Sequence, residues 1–138
     1  MLNEFFIETR GPGLTEFTSE VSAWLAGGGD GLCTLMVRHS SASLLIQENA
    51  DPDVRVDLMN WLNRFVPPGD DPSMSWLTHV LEGPDDMPAH IRAAHLPISL
   101  QVPVQAGQLM LGTWQGIYLV EHRRRPHRRR VAAHFSVD

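Results

Sequence analysis

Three histidines and a short acidic segment are the residues of this 138-residue chain best equipped for chemistry. The stretch His79-Val80-Leu81-Glu82-Gly83-Pro84-Asp85-Asp86-Met87-Pro88-Ala89-His90 places two imidazoles around three carboxylates within 12 residues. Neutral imidazole is a common ligand for zinc, and carboxylates nearby orient the rings or hold a hard cation such as magnesium. Gly83, Pro84 and Pro88 argue against a continuous helix, so a folded-back loop is expected to aim both histidines at one ion. A plain solvated acidic loop is the competing reading. The third histidine, His39, leaves a strand beside Ser40, Ser41 and Ser43. Hydroxyls there suit phosphate oxygens, while a tight turn whose serines satisfy backbone groups is the simpler alternative. A serine nucleophile lacks the strand–elbow–helix pattern that would expose it. Three imidazoles crowded together as cations repel, which favours a divalent metal held by His39, His79 and His90 over a proton relay.

A further block, Gly112-Thr113-Trp114-Gln115-Gly116-Ile117-Tyr118, runs on to Glu121-His122-Arg123. Two glycines around Thr-Trp-Gln suggest a bend where backbone comes close to something. Trp114 can stack on a planar ring or simply belong to the core. Alternation puts Tyr118, Val120 and His122 on one side of the strand and Ile117, Leu119, Glu121 and Arg123 on the other. Arg123 can clamp a phosphate with two parallel hydrogen bonds. The run Arg123 to Arg130 reads as a solvated hairpin tip or a subunit contact; His95, His127 and His134 are given no role.

These groups need a frame. Leu2 to Thr9 reads as a strand ended by Gly11-Pro12-Gly13. Thr15 is a candidate N-cap for a helix carrying Phe17, Val21, Trp24 and Leu25, stopped by Gly27 to Gly29. Gly31 to Arg38 reads as a strand with both faces buried, and Leu44 to Ile46 as a short one. Asp51-Pro52 opens a helix with the apolar stripe Val54, Leu58, Trp61, Leu62 and Phe65. Residues 70–95 look irregular. Leu96 to Val104, Gln108 to Gly112, Gln115 to His122 and Arg130 to Val137 look like strands, the last two forming a hairpin. Two helices early and several antiparallel strands late predict an α+β fold, a sandwich-like core in a single domain spanning 1–138.

Composition narrows the class. Residues 1–122 hold five arginines and 15 acids, a balance of −10, and residues 123–138 hold six arginines and one acid, +5. An acidic body disfavours nucleic acid as a partner. No apolar run approaches the roughly 20 residues of a membrane span, and the amino terminus does not resemble a signal peptide. Cys33 is the only cysteine, which excludes an internal disulfide and multi-cysteine zinc fingers and suits a cytoplasmic setting.

Three blocks resemble the YjbQ family, also called the secondary thiamine-phosphate synthase family. They are His39 to Ser43 with Glu48-Asn49-Ala50-Asp51-Pro52-Asp53-Val54, then His79 with Glu82 to His90, then Leu111 to Tyr118 ending in Glu121-His122-Arg123. The chain departs from the family pattern at Ser40, where threonine is usual, at Gln47 for asparagine, at His95 for an apolar residue and at Pro97 for glycine. The resemblance implies a compact α+β fold assembled as a homotrimer, with polar pockets near the subunit interfaces. It also implies a weak thiamine-phosphate synthase activity that joins hydroxymethylpyrimidine diphosphate to a thiazole phosphate and releases diphosphate. On that reading Glu82, Asp86 and Arg123 are catalytic, Ser41, Ser43, Trp114 and Gln115 bind the phosphorylated heterocycle, and His39, His79 and His90 hold a divalent ion, zinc or magnesium. A metal-dependent hydrolase of another small substrate and a non-enzymatic trimer that binds a metal or metabolite are the alternatives.

Overall fold

The computed structural model describes residues 1–138 as twelve elements. Strands β1 (Leu2–Thr9), β8 (His127–Val137), β3 (Gly31–Val37), β5 (Ser99–Gln105) and β6 (Gln108–Leu109) lie in that order in one sheet. A second sheet has the order β2 (Gly13–Glu16), β7 (Gln115–Glu121), β4 (Ala42–Glu48). Every pairing is antiparallel. Helices α1 (Thr18–Leu25), α2 (Pro52–Phe65) and α3 (Asp86–His95), with a short 3-10 turn at Pro72–Met74, complete an α+β fold. No helix is long and apolar enough to cross a membrane.

Period-two alternation explains the core. Ile7, Cys33, Leu35, Val37, Val102, Val104, Val131, Ala133 and Phe135 point inward from the first sheet, and Ala42, Leu44, Ile117 and Leu119 from the second. Phe17, Val21 and Leu25 close one end from α1 and the residue before it. Ile117 and Leu119 join the core cluster, whereas the equally buried Tyr118 and Val120, and His122 just past the end of β7, lie outside it, as alternation requires. Arg55 of α2 donates to the Tyr118 hydroxyl, at 3.1 Å.

Several expectations need correction. Thr15 does not cap a helix; it sits in β2 opposite Leu119, and α1 starts only at Thr18. β3 is not buried on both faces, since Met36 is 47% exposed. The strands at the carboxyl end do not form a hairpin: β7 lies between β2 and β4, while β8 lies between β1 and β3. Residues 122–126 cross from one sheet to the other, and Arg128, Arg129 and Arg130 belong to β8. The larger error concerns residues 70–95, which contain α3. Pro88 falls in the first turn of that helix, where a backbone N–H has no helical acceptor, so a proline there breaks nothing. Pro97, where glycine was expected, has no positive φ, so the backbone there asks nothing that proline cannot adopt, and its carbonyl accepts the Leu44 N–H at 2.8 Å.

Candidate metal centre

Helix α3 creates the site. Asp86 and His90 are four residues apart, which places them one turn apart on a single helix face. His79 comes from the loop ahead of the helix. Its Nε2 lies 2.7 Å from Asp86 Oδ2, and His90 Nε2 lies 3.4 Å from the same oxygen. The two imidazole centroids are 6.0 Å apart. One ligand atom from each of His79, Asp86 and His90 can be chosen so that all lie within 4.8 Å of one another.

The surroundings orient two of these groups, His90 and Asp86. His90 Nδ1 is 3.0 Å from the Ser40 carbonyl, which can only accept, so the proton belongs on Nδ1 and the Nε2 lone pair faces Asp86. Arg123 Nη1 donates to Asp86 Oδ1 at 2.5 Å, leaving Oδ2 toward the histidines. Arg123 Nε donates to Asp85 Oδ2 at 2.9 Å, and the Arg124 N–H reaches the same oxygen at 2.9 Å. Burial pushes the Asp86 carboxyl up, but the His79 hydrogen bond and the Arg123 charge outweigh it and hold the group below the usual carboxylate range. The same contest, won by Arg123, lowers Asp85. The Asp85 bond in turn raises Arg123 further above its ordinary value. Asp86 is therefore ionised at neutral pH, the state that metal binding would require of it.

The other expected site residues fall in different places. Glu82 Oε2 is 3.9 Å from His79 Nε2 and exposed, so it stands at the edge of the cluster. Arg123 does not offer a free fork for phosphate; Nε and Nη1 are spent on Asp85 and Asp86, and Nη2 faces the Glu82 carbonyl. His39 is not the third member of the cluster. Its Nε2 accepts the Arg130 N–H at 2.9 Å, and burial followed by the Arg129 charge lowers its pKa. It does share a cleft with His90. Ser43 is fully buried and bonded to His122 Nε2 at 2.9 Å, so it cannot meet a ligand at the surface. Ser41 contributes its carbonyl to Arg129, at 3.3 Å. Trp114 is 63% exposed and Gln115 opens β7. Arg123 lies just beyond the other end of that strand, and eight residues of extended chain put roughly 25 Å between them. Within one chain Trp114 and Gln115 cannot line the same pocket as Asp86.

The Asp86-x-x-x-His90 spacing was the visible signal that these two groups share a helix face, and it reads as helical once Pro88 sits in the first turn of α3.

A family model described as "UPF0047 protein YjbQ-like" matches residues 3–138. The chain belongs to the YjbQ family. UPF0047 protein sll1880 of Synechocystis is 50% identical over 132 residues, covering 94% of this chain and 87% of that YjbQ relative. The crystal structure of an uncharacterized YjbQ/UPF0047 protein of Clostridium acetobutylicum is 32% identical with a TM-score of 0.85, covering 97% of this chain and 99% of the other. A hypothetical protein of Aeropyrum pernix, APE1520, superimposes with a TM-score of 0.87 at 28% identity, over 100% and 99% of the two chains. These YjbQ names carry no activity.

Proposed function

We propose that this chain is a divalent-metal enzyme acting on a small phosphorylated substrate, with His79, Asp86 and His90 as the ligands. The observation that carries the reading is their mutual approach within 4.8 Å around a buried, ionised carboxylate. Two imidazoles and one carboxylate leave coordination positions open, which is the arrangement of catalytic rather than structural metal sites. When bound, the ion supplies charge to neutralise a phosphoryl or diphosphate oxygen. The chain does the rest. Ser40 and Arg123 fix His90 and Asp86 in orientation, and exposed Glu82 stands beside His79, where it can take or give a proton.

The specific reaction we propose is the joining of hydroxymethylpyrimidine diphosphate to a thiazole phosphate with loss of diphosphate, as the YjbQ resemblance suggests. A homotrimer is part of this proposal. Trp114 and Gln115 would then meet the centre of a neighbouring chain, and exposed Trp61, Phe65, Trp76, Leu81 and Trp114 supply apolar surface for assembly. A cytoplasmic setting accords with the single buried cysteine.

The test is incubation of metal-loaded protein with both heterocycles, following thiamine phosphate and free phosphate together. Coupled product that disappears in Asp86→Asn supports the synthase. Phosphate released from either substrate alone, without coupling, selects the hydrolase. A protein that keeps its metal and turns over neither is a binding protein, and the catalytic reading is then wrong.

A further inference from the structure

Just past the end of β7, His122 and Arg124 border a second polar feature outside the His79–Asp86–His90 cluster. A cavity of about 290 Å³ lies where Asn63 of α2, Asp85, Arg92 of α3, His122 and Arg124 converge, with prolines making up the rest of its wall. Arg92 is 6% exposed. Its Nη2 donates to the Val66 carbonyl at 2.6 Å, but its Nε has no hydrogen-bond partner within the chain. Arg124 lines the same cavity, so a second guanidinium stands on its wall. Asp85 borders the same cavity, yet its Oδ2 is occupied by Arg123 Nε and the Arg124 N–H.

His122 repeats the pattern. It is buried, its Nε2 is bonded to Ser43, and its Nδ1 has no partner within the chain. In the tautomer that accepts from the Ser43 hydroxyl, Nδ1 carries the proton and is a spare donor. Burial, followed by the Arg92 charge, presses the His122 pKa down to about 4, so the ring is neutral at pH 7. A buried guanidinium without a counter-charge, beside a second guanidinium and an unused N–H, is an unfavourable arrangement in isolation. Arg92, His122 and Arg124 all line the cavity, so an anion there would offer acceptors to the two spare donors and offset the like charges of the two guanidiniums.

We propose that this cavity is an oxyanion site that takes the phosphate group of a phosphate monoester, held from inside by Arg92 and His122 and at the mouth by Arg124. The cavity has room for the group and a small attached body. It is argued from residues outside the His79–Asp86–His90 cluster and stands whether or not that cluster holds metal.

The test uses full-length, chelator-treated protein, so that metal plays no part. Inorganic phosphate is titrated in by calorimetry while the His122 imidazole is followed by NMR, with sodium chloride at matched ionic strength as reference. A single saturable site with a phosphate-specific His122 shift is expected. Arg124→Ala removes an exposed side chain, and we expect it to weaken the site about tenfold. Arg92→Met is expected to abolish binding; should it fail to fold, Arg124→Ala and the His122 signal decide. No saturable binding and an unmoved His122 at millimolar phosphate would overturn the proposal. So would equal affinity in the wild type and Arg124→Ala.

Discussion

Replacing Arg129 with methionine isolates the buried ion pair that ties the two sheets together. Arg129 of β8 and Glu121 of β7 are 3% and 0% exposed, with Nε–Oε1 at 2.8 Å and Nη2–Oε2 at 2.5 Å. Thr9 of β1 donates to the same carboxylate at 2.7 Å, and the Arg123 N–H at 3.0 Å. Arg129→Met leaves Glu121 charged, buried and short of its main partner, a change that costs about 3–5 kcal/mol. For a chain of this length that is a fall in Tm of roughly 10–17 °C. Burial pushes the Glu121 carboxyl up, while Arg129 and Thr9 bring it net below its ordinary value. The wild-type contribution is therefore complete above the unfolded carboxylate pKa and is lost as pH falls through the lowered folded value. In the variant burial prevails and the folded pKa rises above the unfolded one, so the penalty is full at neutral pH and fades on acidification. Urea unfolding at pH 7 and at pH 5 should show the gap between the two proteins narrowing. The double variant Arg129→Met/Glu121→Leu, with no charge left to strand, should regain most of the loss. A single-variant loss under about 1 kcal/mol at pH 7, or a gap that widens toward pH 5, would refute the reasoning.

His122 gives a second pH signature. With its pKa held at about 4 by burial, the unfolded chain binds the extra proton first, so stability present above the ordinary histidine pKa is lost as pH falls toward 4. The loss amounts to roughly 3 kcal/mol, and His122→Asn should flatten it in urea midpoints measured across that range. Asp51 caps α2 by accepting the Asp53 N–H at 2.9 Å, and Asp51→Ala should cost about 1 kcal/mol by denaturant unfolding. Gly31 sits where an added Cβ would meet the Ser136 carbonyl oxygen at 2.1 Å, so Gly31→Ala should lower stability by about 2 kcal/mol or more in the same assay.

The sequence made the two-sheet, helix-backed class legible because its signals were local. The strand read at Leu2–Thr9, closed by Gly11-Pro12-Gly13, matches to the residue, and the Asp51-Pro52 start placed α2 correctly. What failed depended on partners distant in sequence. Thr15 looked like a cap until β7 claimed it as a strand neighbour, and the arginine run looked like a hairpin tip until β8 paired with β1, setting Arg128 against Glu8 and Arg130 near Glu4. Two of the three histidines were correctly brought together, since both lie close in sequence to the same short helix. His39 was assigned by residue type alone; nothing local shows that the Arg130 N–H takes its Nε2. Arg123 was read as a phosphate clamp, and in the fold its guanidinium faces Asp85 and Asp86, because a fork that suits phosphate suits carboxylates equally well.

Uptake of Co²⁺ by the full-length chain, followed through its visible absorption, tests the three-ligand centre most directly. One ion per chain is predicted, lost in His79→Ala and in Asp86→Asn and retained in His39→Ala. Full occupancy in the first two variants, or loss of the ion in the third, would contradict a centre built from His79, Asp86 and His90.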